Sequence, residues 1–122
     1  MMNPDLLTLF SQPGTLALYE AIEGRIVGLW PDVRIKVSRT QVSFSNRYGF
    51  AYVSLRRIKG HPGNYVILTF GLPHEVHDPR IVAAVEAYPR RWTHHVIIEK
   101  EADLDAQVMD WVRQSYAYSM VK

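Results

Sequence analysis

The chain has 122 residues, of which 48% are hydrophobic and 21% are charged, and its formal net charge is +2 at pH 7. This length and composition predict one globular domain spanning residues 1–122, with residues 1–14 as an N-terminal arm or short helix. The sequence has no cysteine, which excludes a disulfide framework, a cysteine-based zinc site and a thiol nucleophile.

Two helices are predicted before the first strand. Pro4–Phe10 is typical of a short helical turn, and the breaker sequence Gln12-Pro13-Gly14 ends it. Thr15 is a suitable cap for a second helix, because apolar residues follow it at the three-and-four spacing of one buried helix face. This helix is expected to end at Trp30, since a residue that precedes proline avoids helical geometry.

Four strands joined by short connections are predicted next. Val33–Val37 alternates branched apolar residues with arginine and lysine, as in a strand with one solvated face. The others are expected at Val42–Phe44, Phe50–Ile58 and Tyr65–Phe70. Short connections between neighbouring strands favour antiparallel pairing.

The last third of the chain predicts a helix, a strand and a helix. Asp78-Pro79 is typical of a helix start, with the aspartate as cap and the proline in the first turn, and this helix would end before Pro89. A fifth strand is expected at Trp92–Glu99, and a final helix from about Ala102 to Ser119. The order α-β-β-β-β-α-β-α predicts an α+β fold: a two-layer sandwich whose mainly antiparallel five-stranded sheet carries the helices on one face.

Strand alternation assigns the side chains of this sheet to two faces. The face covered by helices is expected to hold the apolar set Val33, Ile35, Val37, Val42, Phe44, Ala51, Val53, Leu55, Val66, Leu68 and Phe70. The opposite face would show Arg34, Lys36, Gln41, Ser43, Phe50, Tyr52, Ser54, Arg56, Tyr65, Ile67 and Thr69, joined by His95 and Ile97 from the fifth strand.

The opposite face combines aromatic and basic residues in a way that indicates an interaction site. No acidic residue occurs from Val33 to His74, whereas seven lysines and arginines do. An apolar patch rimmed by charge commonly marks such a site. The alternatives are a solvated surface of mixed sign, a face covered by a loop or a helix, a homodimer formed through the open sheet face, and binding of an anionic ligand. The candidate ligand- or partner-binding residues are Arg47, Phe50, Tyr52, Arg56, Tyr65 and His95.

Gly49–Leu55 resembles the aromatic strand of RNA-recognition domains, in which two exposed rings stack on bases. Arg47 and Arg56 flank it and are suited to neutralising phosphates. Tyr48 interrupts the usual basic-glycine pair, however, and Leu55 replaces the last aromatic residue. Binding of single-stranded nucleic acid is therefore kept as an alternative to a non-catalytic interaction module.

The sequence contains no established catalytic frame. It lacks a Gly-x-Ser-x-Gly elbow and a phosphate-cradling glycine loop, so no catalytic residue is assigned and the expectation leans against an enzyme. A small enzyme with His95 and Tyr52 in one cleft, and Arg56 converging on them, is a further alternative. Arg90-Arg91 has the composition of an anion clamp, although exposed arginines after a helix-ending proline need no ligand.

No metal site or cofactor is expected. The segment His74–Asp78 contains two histidines and two carboxylates, but its neighbouring prolines explain it as a turn and a helix cap. His94 and His95 are adjacent on a strand and therefore point to opposite faces. No apolar run approaches the roughly 20 residues of a membrane span, and Met1–Asp5 lacks the features of a secretory signal. We therefore expect a cytoplasmic protein with no membrane partner.

The order and spacing of several motifs resemble the bacterial family called domain of unknown function 5655. The motifs run from Asp78-Pro79-Arg80-Ile81 through Arg91-Trp92-Thr93-His94-His95-Val96 to Trp111-Val112-Arg113-Gln114-Ser115-Tyr116. The leading helix around Leu18-Tyr19-Glu20 and the strands from Phe44 to Val53 also fit, so the resemblance covers nearly the whole chain. It implies a soluble accessory or binding role without established catalytic residues. Some members carry the label of predicted transport proteins.

Overall fold

The computed structural model describes residues 4–121, so Met1–Asn3 of the predicted N-terminal arm and Lys122 lie outside the described residues. The described chain has three helices and one antiparallel sheet of six strands in the order β1-β2-β3-β4-β6-β5, which confirms the predicted α+β class. The elements are α1 (Pro4–Leu9), α2 (Thr15–Leu29), β1 (Arg34–Val37), β2 (Gln41–Ser45), β3 (Gly49–Ser54), β4 (Val66–Leu72), β5 (Ile81–Tyr88), β6 (Arg91–Ile98) and α3 (Ala106–Ser119).

The segment after Asp78 is a strand, so the predicted helix there is wrong and the sheet has six strands instead of five. The Asp78 carboxylate accepts the backbone N–H of Arg80 at 2.9 Å, and its carbonyl accepts the N–H of Ile81 at 2.9 Å. The Asp-Pro pair therefore forms a turn. Ile81, Val82 and Val85 are β-branched residues, which favour strands, and Ile81–Tyr88 pairs with β6 from Arg91 to Val96. A helix here would have left β6 as a long exposed edge.

Several predicted boundaries also shift. β3 ends at Ser54 instead of Ile58, because the chain then enters a loop. α3 begins later than expected, after a single 3₁₀ turn at residues 101–103, with Asp105 as its N-cap. Gly14 takes the N-cap of α2 in place of Thr15, and its φ of 81° is a left-handed conformation that glycine adopts at low cost.

The N-terminal segment forms the short helix α1 and is part of the core. Leu6 and Phe10 are buried. The ring of Phe10 stacks on Tyr19 of α2 with 4.8 Å between ring centroids. Residues 4–10 are thus held by apolar contacts with the second helix.

Side chains of α2 and α3 contact Phe44 and Phe70 on one side of the sheet, which we call the inner face; the opposite side is the outer face. The apolar side chains predicted to face the helices from β2, β3 and β4 are buried. Tyr19 of α2 stacks on Phe44 with 6.2 Å between centroids, and Trp111 of α3 stacks on Phe70 at 5.6 Å. The edge strand β1 departs from this pattern, since Ile35 is 38% exposed.

Phe50 lies on the inner face, so its predicted place on the outer face is wrong. The cause is a change of register between β2 and β3: Phe44 pairs with Ala51, but the next residue, Ser45, pairs with Gly49. Phe50 is therefore the additional residue of a β-bulge, a distortion that re-aims side chains by breaking the regular alternation. Its side chain lies on the inner face, as does that of Ala51. Going back along β3 from Tyr52, the next residue on the outer face is therefore Gly49.

The Phe50 ring fills a space between the last residues of α2 and the middle of α3. It is 1% exposed and meets the rings of Trp30 and Tyr116 edge to face, with centroids at 5.2 and 5.0 Å. Trp30 and Tyr116 stack on each other at 4.3 Å. Aromatic pairs of this kind contribute about 0.5–1.5 kcal/mol each beyond the area they bury, so the inward position is strongly favoured.

The hydroxyl of Ser115 in α3 binds the two backbone groups that the bulge leaves without a partner in the strand ladder. Ala51 pairs with Phe70, so a continuing ladder would have joined Phe50 to Gly71. Instead, Ser115 Oγ donates a hydrogen bond to the Phe50 carbonyl at 2.6 Å and accepts the Gly71 N–H at 3.0 Å. Since Ser115 is 2% exposed, bulk water is kept away from these groups. One side chain thus ties α3 to both strands.

Ser115→Ala should lower the free energy of unfolding by about 1–3 kcal/mol, because it leaves a buried carbonyl and a buried N–H unpaired. Ser119→Ala is the matched control: it removes the same atoms from the same helix, but the Ser119 hydroxyl bonds only to the nearby Tyr116 carbonyl at 2.6 Å. Urea unfolding of the two variants measures the difference. Equal stability losses would contradict a bridging role for Ser115.

Candidate functional site

One row of side chains crosses the outer face from edge to edge. The strand registers place its members side by side, at the spacing of about 4.8 Å between neighbouring strands. Tyr52 of β3, Thr69 of β4 and His95 of β6 occupy its centre. The whole row is Lys36, Ser43, Tyr52, Thr69, His95 and Ala83.

The centre of the row is polar: Thr69 is buried, and Tyr52 and His95 on either side of it are half-buried. Thr69 Oγ1 and His95 Nδ1 form a hydrogen bond of 2.8 Å. Burial lowers the pKa of His95, and the positive charge of Arg56 lowers it further. Burial raises the pKa of Tyr52. The neutral forms of both Tyr52 and His95 are therefore favoured.

Two of the six candidate residues, Tyr52 and His95, lie in this row on either side of Thr69. Arg56 follows β3 directly and is exposed. Arg47 lies apart from them in the turn between β2 and β3, where its guanidinium sits 5.5 Å from the centroid of the Tyr48 ring.

Tyr65 is buried, so the prediction that it is displayed on the open face is wrong. Its hydroxyl accepts the Ile58 N–H at 2.8 Å and donates to the His61 carbonyl at 3.2 Å, and Arg57 lies 5.2 Å from its ring centroid. The loop between β3 and β4 therefore folds back against Tyr65. The next residue on this face, Ile67, is fully buried yet lies outside the core cluster shared with the helices. At this end of the outer face, the chain's own loop covers Tyr65.

The positive charges near the outer face are not compensated by ion pairs. No strand position that points to this face carries a carboxylate in residues 4–121. Arg39 and Arg56 line one open groove of about 430 Å³ at an end of the sheet, between Gln41 and Ser54 of the strands and Leu9 of α1. The cations that have no ion-pair partner within the described part of the chain include Arg34, Lys36, Arg39, Arg56 and Arg91.

A cavity of about 200 Å³ lies at the opposite end of β3, where the bulge is. We call it the bulge cavity. It forms where β3 begins, β4 ends and the turn between β5 and β6 comes close to α3. Its lining includes Tyr52, Gly71, Tyr88, Arg91, Thr93 and Tyr118.

The turn beside this cavity is fixed by α3. Arg90 has a positive φ of 63°, which costs a residue with a side chain about 1–2 kcal/mol. The hydroxyl of Tyr118 donates a hydrogen bond of 2.6 Å to the Arg90 carbonyl and holds the turn in this form. β6 therefore starts at a defined place, and Arg91 is its first residue.

Residues 4–121 contain no group of three or more histidine or carboxylate side chains placed to hold a metal ion. Within the same range, no helix is both long enough and apolar enough to cross a membrane. His61 and Glu99 form an isolated pair at 3.1 Å, and His77 and Glu75 another at 3.7 Å.

A family model described as a domain of unknown function, DUF5655, matches residues 8–119. The chain belongs to this family. No curated protein and no solved structure matches it. The match covers all six strands and the bulge, so both the outer face and the bulge cavity belong to the DUF5655 domain itself.

Sequence reasoning missed most of the cavity in this DUF5655 domain. The pair Arg90-Arg91 was noted as a possible clamp, but the structure divides its members: Arg90 forms the turn and Arg91 lines the cavity. No pattern in the sequence indicates that Gly71 has a special role. Gly49 is different, because a glycine inside a strand pattern is typical of a bulge.

The free energy of unfolding should fall as the pH is lowered from 7.5 to 5.5. The pKa of His95 is below its usual value of 6.5 in the folded protein. The unfolded chain therefore takes up a proton first, and stability that is present above pH 6.5 is lost below it. Because His95→Gln cannot be protonated, it should show a smaller decline in urea unfolding. An unchanged decline in that variant would contradict the shifted pKa.

Proposed function

We propose that this domain is a non-catalytic binding module whose outer face takes an anionic ligand. The observation that carries the proposal is the central row of Tyr52, Thr69 and His95 with Arg56 beside it. This row offers hydrogen-bonding groups on a face where no strand position within residues 4–121 carries a carboxylate. Positive charge without a partner draws anions and increases the rate at which they associate.

The proposal treats the helices as covering one face of the sheet only, which is the two-layer arrangement expected from the sequence. The stacking of Tyr19 on Phe44 and of Trp111 on Phe70 supports it. The outer face is then open from Tyr52 towards β5, with the β3–β4 loop covering only the end near Tyr65.

Single-stranded nucleic acid is one possible anion, but the outer face offers less stacking surface than the sequence suggested. A stacking platform needs flat rings exposed to solvent. Since Phe50 is buried beneath α2 and α3, Tyr52 is the aromatic residue that remains at the centre of the face. This favours an anionic group over a stack of bases as the recognised feature.

The same charges weigh against a homodimer formed through this face. In a twofold dimer each surface meets a copy of itself. Arg56 and Lys36 would then face a second set of cations without intervening carboxylates. Charge repulsion of this kind disfavours self-association unless an anion lies between the copies.

The first test is titration of the protein with tripolyphosphate, hexauridylate and a glutamate hexapeptide, followed by amide chemical shifts in NMR spectra. The outer-face amides of β3, β4 and β6 should shift, and the affinity should fall as salt is added. The double variant Arg39→Glu/Arg56→Glu should weaken binding of the preferred probe by about tenfold or more, because two attractive charges become repulsive.

Arg113→Glu is the matched control, since Arg113 is an exposed cation on α3 and lies away from the outer face. It should leave the affinity within about twofold. Hexauridylate binding far more tightly than tripolyphosphate at equal salt would shift the proposal to nucleic acid. Amides that do not respond to any of the three probes would refute anion binding by this face.

A further inference from the structure

We infer that the bulge cavity is the seat of the ligand's oxyanion group, a phosphate or a carboxylate. This inference rests on the proposed function and adds where the charged end of the ligand is held. The remainder of the ligand would then extend from the cavity along Tyr52 towards Ser54 and Arg56. Tyr52 lines the bulge cavity and Ser54 lines the Arg39–Arg56 groove, so the two sites adjoin along β3.

The size of the cavity suits one end group. Sites for whole small-molecule ligands usually measure about 300–1,000 Å³. The bulge cavity, at about 200 Å³, is smaller. A compact group such as phosphate or carboxylate fits this volume, whereas a ring system with substituents would exceed it.

The chemistry of the lining suits an oxyanion. Arg91 is exposed and has no ion pair within residues 4–121, so its guanidinium is available for the paired hydrogen bonds that carboxylates and phosphates accept. Tyr52 and Thr93 add hydroxyl donors, and neither hydroxyl is hydrogen-bonded within the described part of the chain. The cavity lining contains no carboxylate that would repel an anion.

Two glycines keep the cavity open. Gly71 pairs with Thr93 on the outer-face side of β4, and a Cβ added to it would approach no atom closer than the Trp92 carbonyl oxygen at 3.9 Å. A methyl group at this position would therefore fit the protein but occupy the cavity. At Gly49, by contrast, a Cβ would collide with the hydroxyl of Tyr52, whose ring lies over that residue.

The bulge explains why these groups meet. Phe50 takes the extra position, so Tyr52 becomes the outer-face neighbour of Gly49 and its ring reaches the end of the sheet. Ser115 closes the gap behind it through the Phe50 carbonyl and the Gly71 N–H. The cavity is thus built on paired backbone and is formed before any ligand arrives.

Inorganic phosphate and acetate are the probes that test this seat. Titration of each should shift the amides of Gly71 and Thr93, and the stronger response identifies the preferred group. Gly71→Ala should weaken binding of that probe by about tenfold or more, while its unfolding midpoint stays at or slightly above the original value. Arg91→Gln should weaken it by at least a similar factor without loss of folding, because the charge is removed from an exposed side chain.

Gly24→Ala and Arg113→Gln are the matched controls. Gly24 lies on the exposed side of α2, and a Cβ added there would meet no atom within 4 Å beyond its own helix backbone, so alanine makes the same chemical change far from the cavity. Both controls should bind the probe with unchanged affinity. Wild-type affinity in Gly71→Ala, or no response of Gly71 and Thr93 to either anion, would overturn the inference.

Tripolyphosphate separates this failure from failure of the proposed function. If it still shifts the amides near Gln41 and Ser54 while the small anions leave the cavity unchanged, then the outer face binds anions but the bulge cavity is not the seat. If no probe shifts any outer-face amide, both the seat and the binding face are refuted.

Discussion

The bulge at Phe50, closed by the hydroxyl of Ser115, is the constraint on which both faces of the sheet depend. It turns Phe50 inward between Trp30 and Tyr116, where the ring joins α2 and α3 to the sheet. An unpaired buried carbonyl or N–H costs about 1–3 kcal/mol, so the open ladder is tolerated because Ser115 pairs both groups. Because Ser115 belongs to α3, the position of α3 on the inner face and the shape of the outer face depend on the same bulge.

The uneven distribution of charge along the chain becomes a difference between the two sides of the molecule. The acid-free segment 33–74 supplies β1 to β4, and hence most of the outer face. The acids of the second half are used locally: Asp103 accepts the N–H groups of Glu99 and Lys100 at 2.9 and 3.2 Å, and Asp105 caps α3 and pairs with Arg80. Because these carboxylates are engaged near the helices, the cations of the outer face have no ion-pair partner within residues 4–121.

The sequence predicts the parts of this structure that depend on local spacing. It fails where the structure depends on pairing with strands that are distant in the chain. The buried residues Tyr19, Ile22 and Ile26 of α2 and the alternation in β2 follow from local spacing and need no tertiary information, and these predictions are confirmed. Asp78-Pro79 is compatible with either a helix cap or a turn. It forms a turn because the residues that follow pair with β6. Alternation alone also placed Phe50 outward. The register between β2 and β3 is needed to identify Phe50 as the extra residue of a bulge, although Gly49 within the strand sequence is typical of one.

The candidate site shows the same limit, and its geometry favours binding over proton transfer. Tyr52 and His95 share a face, as alternation predicts, but the strand of Thr69 separates them, which puts their backbones about 10 Å apart. A general acid or base must come within roughly 2.6–3.2 Å of the proton that it transfers. Side chains arranged on either side of Thr69 are instead suited to contacting two parts of one extended ligand. Their neutral forms are favoured by burial, so the attraction for an anion comes from Arg56 and Arg91 at the margins, while the centre of the row supplies directional hydrogen bonds.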